Sequence, residues 1–206
     1  TCEPSIGEWN CAVRTNQGNF ICSTDCIISE NNHVAVTNTL EINGTNTDMN
    51  NLITITATTN KRHFYLNNAN AKLILRYLKL VGGDVSSYSG SASYGGSIFI
   101  YENGGELNLY SSIVFNNKAK NGAGILAQGA SNTNKNAIMN IYNSIIHNNE
   151  ATDRGGGIYA YGDSNTNRNA IMDIYNSIIQ NNKAFQGSGG GIYMVNADAI
   201  IENTKI

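Results

Sequence analysis

The stretch SNTNKNAIMNIYNSIIHNNEA, residues 131–151, is written again almost letter for letter as SNTNRNAIMDIYNSIIQNNKA, residues 164–184; 17 of the 21 aligned positions are identical, at an offset of 33 residues. Self-similarity at a fixed period of this size marks a chain that stacks one supersecondary unit on its own copy. Within the unit, Met139 and Ile141 alternate with Asn140, and Ile146 is followed by polar His147. That period of two belongs to strands rather than to a helix. Asn148-Asn149 and Gly155-Gly156-Gly157 interrupt the pattern, and Ile158-Tyr159-Ala160-Tyr161 resumes it as a second short strand.

The same order of events extends in both directions. Leu107-Asn108-Leu109, Val114, Asn117 and Gly122-Ala123-Gly124-Ile125 match it upstream, and Leu73, Leu75, Leu80 and Gly95-Gly96-Ser97-Ile98 follow it more loosely. Leu80, Val114, Ile146, Ile179 and Ile206 are spaced 34, 32, 33 and 27 residues apart, so the surplus of the longer units sits in the polar runs 131–136 and 164–169, read as projecting loops. Short strands, turn residues and one coil per repeat describe an all-β fold, a single-stranded parallel β-helix in which each strand pairs with its copy one coil along. Asparagine fills 34 of 206 positions. Asn117, Asn149 and Asn182 fall in register after a strand, where stacked amides can hydrogen-bond from coil to coil. Glycine, 21 residues, is assigned to the sharp corners.

The units Ser144-Ile145-Ile146-His147-Asn148-Asn149-Glu150-Ala151 with Gly155-Gly156-Gly157-Ile158-Tyr159, and Ser177-Ile178-Ile179-Gln180-Asn181-Asn182-Lys183-Ala184 with Gly189-Gly190-Gly191-Ile192-Tyr193, resemble the polymorphic outer membrane protein repeat. That family's pattern is a strand ending in Phe-x-x-Asn and then Gly-Gly-Ala/Ile. The resemblance runs from about Leu73 onward, with Val114, Ile146 and Ile179 where the family usually places Phe. It implies a right-handed parallel β-helix of the kind found in secreted adhesins and surface proteins, and it brings no enzymatic residue with it.

Residues 1–30 differ from the rest, holding Cys2, Cys11, Cys22 and Cys26 together with the only Trp and the only Pro. Four clustered cysteines ahead of a cysteine-free solenoid predict two disulfides in an N-terminal cap, with three possible connectivities. The spacings lack the paired Cys-x-x-Cys of a zinc ribbon, the rival reading. The β-helix is assigned to residues 31–206, with regular repeats from about residue 73. Asn43-Gly44-Thr45 is the sole N-glycosylation sequon and is expected in a turn. A chain starting at Thr1 without a signal peptide fits a mature secreted protein. At Ile206 the open strand edges call for more chain or a stacked subunit. A formal net charge of -2 without a basic stripe speaks against nucleic acid, and the apolar run Leu73–Leu80 is too short and too interrupted by charge to span a membrane.

Many β-helices act on polysaccharides, and such sites need carboxylates gathered on one face. Carboxylates are scarce here; Asp153, Asp163 and His147 form the one cluster to weigh, and solvated turn residues are its ordinary explanation. His33 and His63 show no sequence partners. Thr54-Ile55-Thr56 does not recur at the repeat period, as an ice-binding array would. No catalytic residue, metal ligand or cofactor is assigned.

More suggestive are two columns. If Ile98, Ile125, Ile158 and Ile192 point inward, alternation turns Phe99, Leu126, Tyr159 and Tyr193 outward, with Tyr101 and Tyr161 beside them. Tyr110, Tyr142 and Tyr175 repeat on another face. A contiguous apolar stripe points to a partner surface, whereas cross-strand pairing alone is its structural explanation. The sequence thus predicts an extracellular structural or adhesive β-helix that self-associates or meets other extracellular proteins. The alternative is a polysaccharide-binding or polysaccharide-active β-helix.

Overall fold

The computed structural model describes residues 7–9, 11, 17–28, 33–101, 103–129, 136–163 and 169–206. Apart from one 3-10 turn at Gly90–Ser93, its elements are short strands, the longest of six residues. They stack into a parallel β-solenoid with a first wall of eight strands, a second and a third wall of six each, and a three-stranded sheet beside them. Such short strands have no partner within their own coil, so every ladder depends on the copy before or after it.

In the first wall, Leu107, Met139 and Met172 pair in one inward row and Leu109, Ile141 and Ile174 in another. In the second, Leu80, Val114, Ile146 and Ile179 line up. The third contributes Phe64, Ile98, Ile125 and Ile158, continued by Ile192. These rows meet in one continuous core. Each fully buried aliphatic side chain contributes roughly 1.5–3 kcal/mol of transfer free energy, so the interior alone fixes the register. The shortest unit, 27 residues from Ile179 to Ile206, is closest to the circumference of that core, and the repeats of 32–34 residues add loops to it.

The corners explain the asparagine excess. Of the ten non-glycine residues with positive φ among those described, eight are asparagines, including Asn143, Asn176 and Asn203 between first and second walls and Asn116, Asn148 and Asn181 after the second. Asparagine enters this left-handed region at lower cost than other side chains because its short amide bonds locally. After each of these corners comes a buried polar ladder. Asn149 Oδ1 accepts from the Asn117 backbone N–H and side-chain Nδ2 at 3.0 and 2.9 Å, and Asn182 Oδ1 accepts from Asn149 in the same way at 3.0 and 2.9 Å. At the other corner Ser112, Ser144, Ser177 and Thr204 each accept from the backbone N–H of the preceding coil, at 3.1–3.3 Å, and donate to the carbonyl two residues back. At the third corner the backbone itself is crowded: a Cβ on Gly157 would lie 2.5 Å from the Gly191 carbonyl oxygen, and Gly155 has a φ of 62°.

The N-terminal segment is more solenoid than the sequence suggests. Gly18–Cys22 pairs in parallel with Thr39–Gly44, and Cys26–Ile28 with Ile53–Ala57, so two walls reach back into residues 1–30. Trp9, 2% exposed, lies 6.2 Å from Phe64 over the end of the core. Among the described residues one disulfide is formed, between Cys11 and Cys26, with Cα atoms 5.7 Å apart. The expected second bridge does not include Cys22, a correction: its thiol is free, buried in the core, and directed at the Thr24 carbonyl. Burial pushes that thiol up to about 11, so it is inert at neutral pH. Cys2 lies outside the described residues, as do residues 131–135 and 164–168 of the two polar runs.

Candidate functional site

Phe99, Leu126, Tyr159 and Tyr193 are neighbours in register on the outer side of the third wall, and they form a cluster separate from the main core. Their expected exposure is a correction. Phe99 and Leu126 are 1% exposed and Tyr159 is 8% exposed. Tyr101, Tyr161 and Tyr193 are partly buried against them. The cover comes from outside the repeat pattern. Tyr94 meets Phe99 edge-on at 6.3 Å, and the Arg62 guanidinium spans Phe99 at 5.2 Å and Tyr65 at 5.5 Å. Arg62 is itself buried and donates to the Ala92 carbonyl at 2.6 Å, and that burial lowers its pKa to about 10.

Tyr110, Tyr142 and Tyr175 behave differently. Their rings stack at 5.2 and 5.3 Å with planes 9° and 5° apart, and all three are half-buried on the outer side of the first wall. Arg76 caps the stack 4.1 Å from the Tyr110 ring and pairs with Glu41 at 3.2 Å. Beside the stack runs a polar column in which Glu106 accepts from Asn108 at 2.7 Å and Asn108 accepts from Asn140 at 3.0 Å. The first wall therefore presents a tyrosine ring on three successive coils, with an amide beside it on two of them.

Between the third wall and the three-stranded sheet lies a cleft of about 290 Å³, with Leu126 and Tyr159 among its lining residues. Tyr94, Gln128 and Tyr161 also line it, together with the charged side chains of Lys120, Asp153 and Arg154. The strand Glu150–Arg154 carries an irregularity here: Ala119 pairs with Ala151 but Asn121 pairs with Arg154, one residue out of step. A bulge of this kind bends a strand and re-aims its side chains, and such bulges collect at functional sites. Arg154 is held by Asp153 at 3.6 Å and by a hydrogen bond to Tyr159, whose phenol is raised above its ordinary value chiefly by burial.

The cluster weighed for catalysis is not assembled. Asp153 sits in the three-stranded sheet beside Arg154, whereas His147 lies in the second wall, stacked on Phe115 at 4.6 Å. Burial and the nearby Lys79 hold the His147 imidazole below its ordinary value. Asp163 follows the third-wall strand Ile158–Tyr161. Among the described residues, no group of three His, Cys, Asp or Glu side chains is placed to hold a metal ion.

His33 and His63 do have partners. His33 meets Tyr65 edge-on at 4.9 Å. His63 is fully buried, with Nε2 3.0 Å from the Ile55 carbonyl and Nδ1 3.0 Å from Ser97 Oγ. A carbonyl only accepts, so Nε2 carries the proton and Nδ1 accepts from the serine. The sequon also moves. Asn43 lies within the strand Thr39–Gly44, not in a turn, between Ile21 and Arg76 of adjacent strands.

The hydroxyl ladder at Ser112, Ser144 and Ser177 is a feature the sequence reading missed. Its signal was present as Tyr-x-Ser, repeated at 110–112, 142–144 and 175–177.

Residues 143–161 match the Chlamydia polymorphic membrane protein repeat. This stretch runs from the left-handed Asn143 through the Ser144 and Asn149 ladders and the triple glycine to the end of the strand Ile158–Tyr161. The family pattern thus coincides with the corner chemistry of one coil. No curated protein and no solved structure matches the chain. No helix among the described residues is long and apolar enough to cross a membrane.

Proposed function

We propose that this chain is an extracellular, adhesin-like structural module that works by contact, at a cell surface or within an extracellular filament, and not by catalysis. The observation that carries this reading is the half-exposed Tyr110–Tyr142–Tyr175 stack, which offers the same ring edge and hydroxyl on three successive coils of the eight-stranded wall. A rod with one chemistry repeated at the coil spacing of about 4.8 Å suits a lateral contact with a second copy or another extracellular protein. The family resemblance points to the same setting. Two first-wall carboxylates near the stack are engaged in pairing, Glu106 with Lys72 at 2.9 Å and Glu41 with Arg76 at 3.2 Å.

Immunogold electron microscopy of intact source cells tests the setting. Antibodies to the purified chain should decorate unpermeabilised surfaces or extracellular filaments, and labelling that needs permeabilisation contradicts the proposal. Replacing Tyr110, Tyr142 and Tyr175 together by Ser should abolish assembly or cell adhesion while leaving the chain folded; undiminished adhesion and assembly would remove the stack from the contact.

A further inference from the structure

The cleft beside the third wall has a specific origin in the register. One coil earlier, the outer positions of that wall are Phe99 and Tyr101, and one coil later they are Tyr159 and Tyr161. The intervening coil carries Leu126 and Gln128 instead. A smaller side chain and an amide therefore interrupt a wall of rings for the width of one coil. Leu126, 1% exposed, is packed at the base of this coil, and the cleft of about 290 Å³ above it has room for one six-membered ring. Tyr94 lines the opening from the 82–96 segment, and Lys120, Asp153 and Arg154 line it from the three-stranded sheet. That sheet is out of register at this point, with Lys120 opposite both Thr152 and Asp153.

We propose that this slot is a subsite for an acidic pyranose, a hexuronate residue of a glycan chain. The C–H face of a pyranose packs on phenol rings such as the partly exposed Tyr94 and Tyr161, and its hydroxyls suit the amides of Asn121 and Gln128 and the carboxylate of Asp153. Charge selects the acid. The lining holds two cations and one carboxylate, that carboxylate is already paired with Arg154, and among the described residues Lys120 is exposed with no ion-pair partner. A uronate carboxylate would complete the pair at Lys120 through a charge-assisted hydrogen bond. The inference rests on the contact reading only for its biological setting, since binding is measured on the purified chain.

The test is calorimetry and saturation-transfer NMR with trimers of galacturonate, mannuronate and glucuronate, against the neutral galactose trimer. At least one uronate trimer should bind with a dissociation constant on the order of 1 mM or tighter. The neutral trimer should bind about tenfold more weakly, the worth of one charge-assisted contact. Leu126→Phe and, independently, Gln128→Tyr supply the ring that the neighbouring coils carry and should abolish binding, with circular dichroism confirming the fold. Lys120→Gln should erase the preference for the acid. Binding of no uronate, equal binding of the neutral trimer, or binding that survives both slot-filling variants in folded protein would overturn the proposal. Surface labelling of cells together with failure of all trimers would reject the glycan subsite and leave the contact reading standing.

Discussion

Two columns of side chains run along the outside of this solenoid, and they differ in what covers them. On the third wall Phe99 is covered by Arg62 and Tyr94, and Leu126 and Tyr159 are buried by their own neighbours. Tyr110, Tyr142 and Tyr175 on the first wall lie against one another and keep their edges toward solvent. Both follow from the same alternation along a strand. Alternation decides which side of a wall a residue occupies; segments arriving from elsewhere in the chain decide whether that side meets water. The third wall thus has cores on both sides, and the first has one.

The comparison breaks if the corners, and not the columns, hold the walls apart. Asn149→Ala tests this first, because it takes the acceptor from the buried Asn117 backbone N–H and a donor from each of the Val114 and His147 carbonyls. Loss of these buried hydrogen bonds costs about 4 kcal/mol, which urea denaturation would read. Next comes pH. His63, behind the sealed column, is held by burial at about 4 against an ordinary 6.5. The unfolded chain therefore takes up this proton first as the pH falls, so stability present above 6.5 is lost down to about 4, by about 3 kcal/mol in all. Unfolding midpoints measured between pH 7 and pH 4 should show this slope, and His63→Asn should flatten it.

A smaller effect separates the two arginines. Arg62→Ala uncovers Phe99 and is expected to cost about 2 kcal/mol in packing. Arg76→Ala removes a half-exposed cap from the tyrosine stack and should cost less than about 1 kcal/mol. Equal losses in thermal unfolding would mean that the sealed column owes nothing to its cover.

These differences also mark where the sequence was legible. The 33-residue period, the inward rows and the positions of Asn117, Asn149 and Asn182 could be read because each is local to one unit and recurs in the next. The burial of Phe99 could not, since Arg62 lies 37 positions away and outside the regular repeats. Cys22 misled because composition counts cysteines without their surroundings; its position in the core row makes it a small apolar residue. Asparagine was half read. One residue of each Asn-Asn pair builds the ladder, and the residue before it adopts the left-handed corner, a demand that only backbone geometry displays. The slot at Leu126 was written in the sequence as a departure from its neighbours, but it gains meaning only when Lys120 and Asp153 arrive from another sheet.

The most direct measurement compares Tyr159→Ser with Tyr142→Ser by urea denaturation under one set of conditions. The account predicts a loss of about 3 kcal/mol for Tyr159→Ser, as for a truncated core aromatic, and less than about 1 kcal/mol for Tyr142→Ser. Equal losses, or a larger loss at Tyr142, would contradict the division of the molecule into a sealed wall that builds the rod and an open wall left for contact.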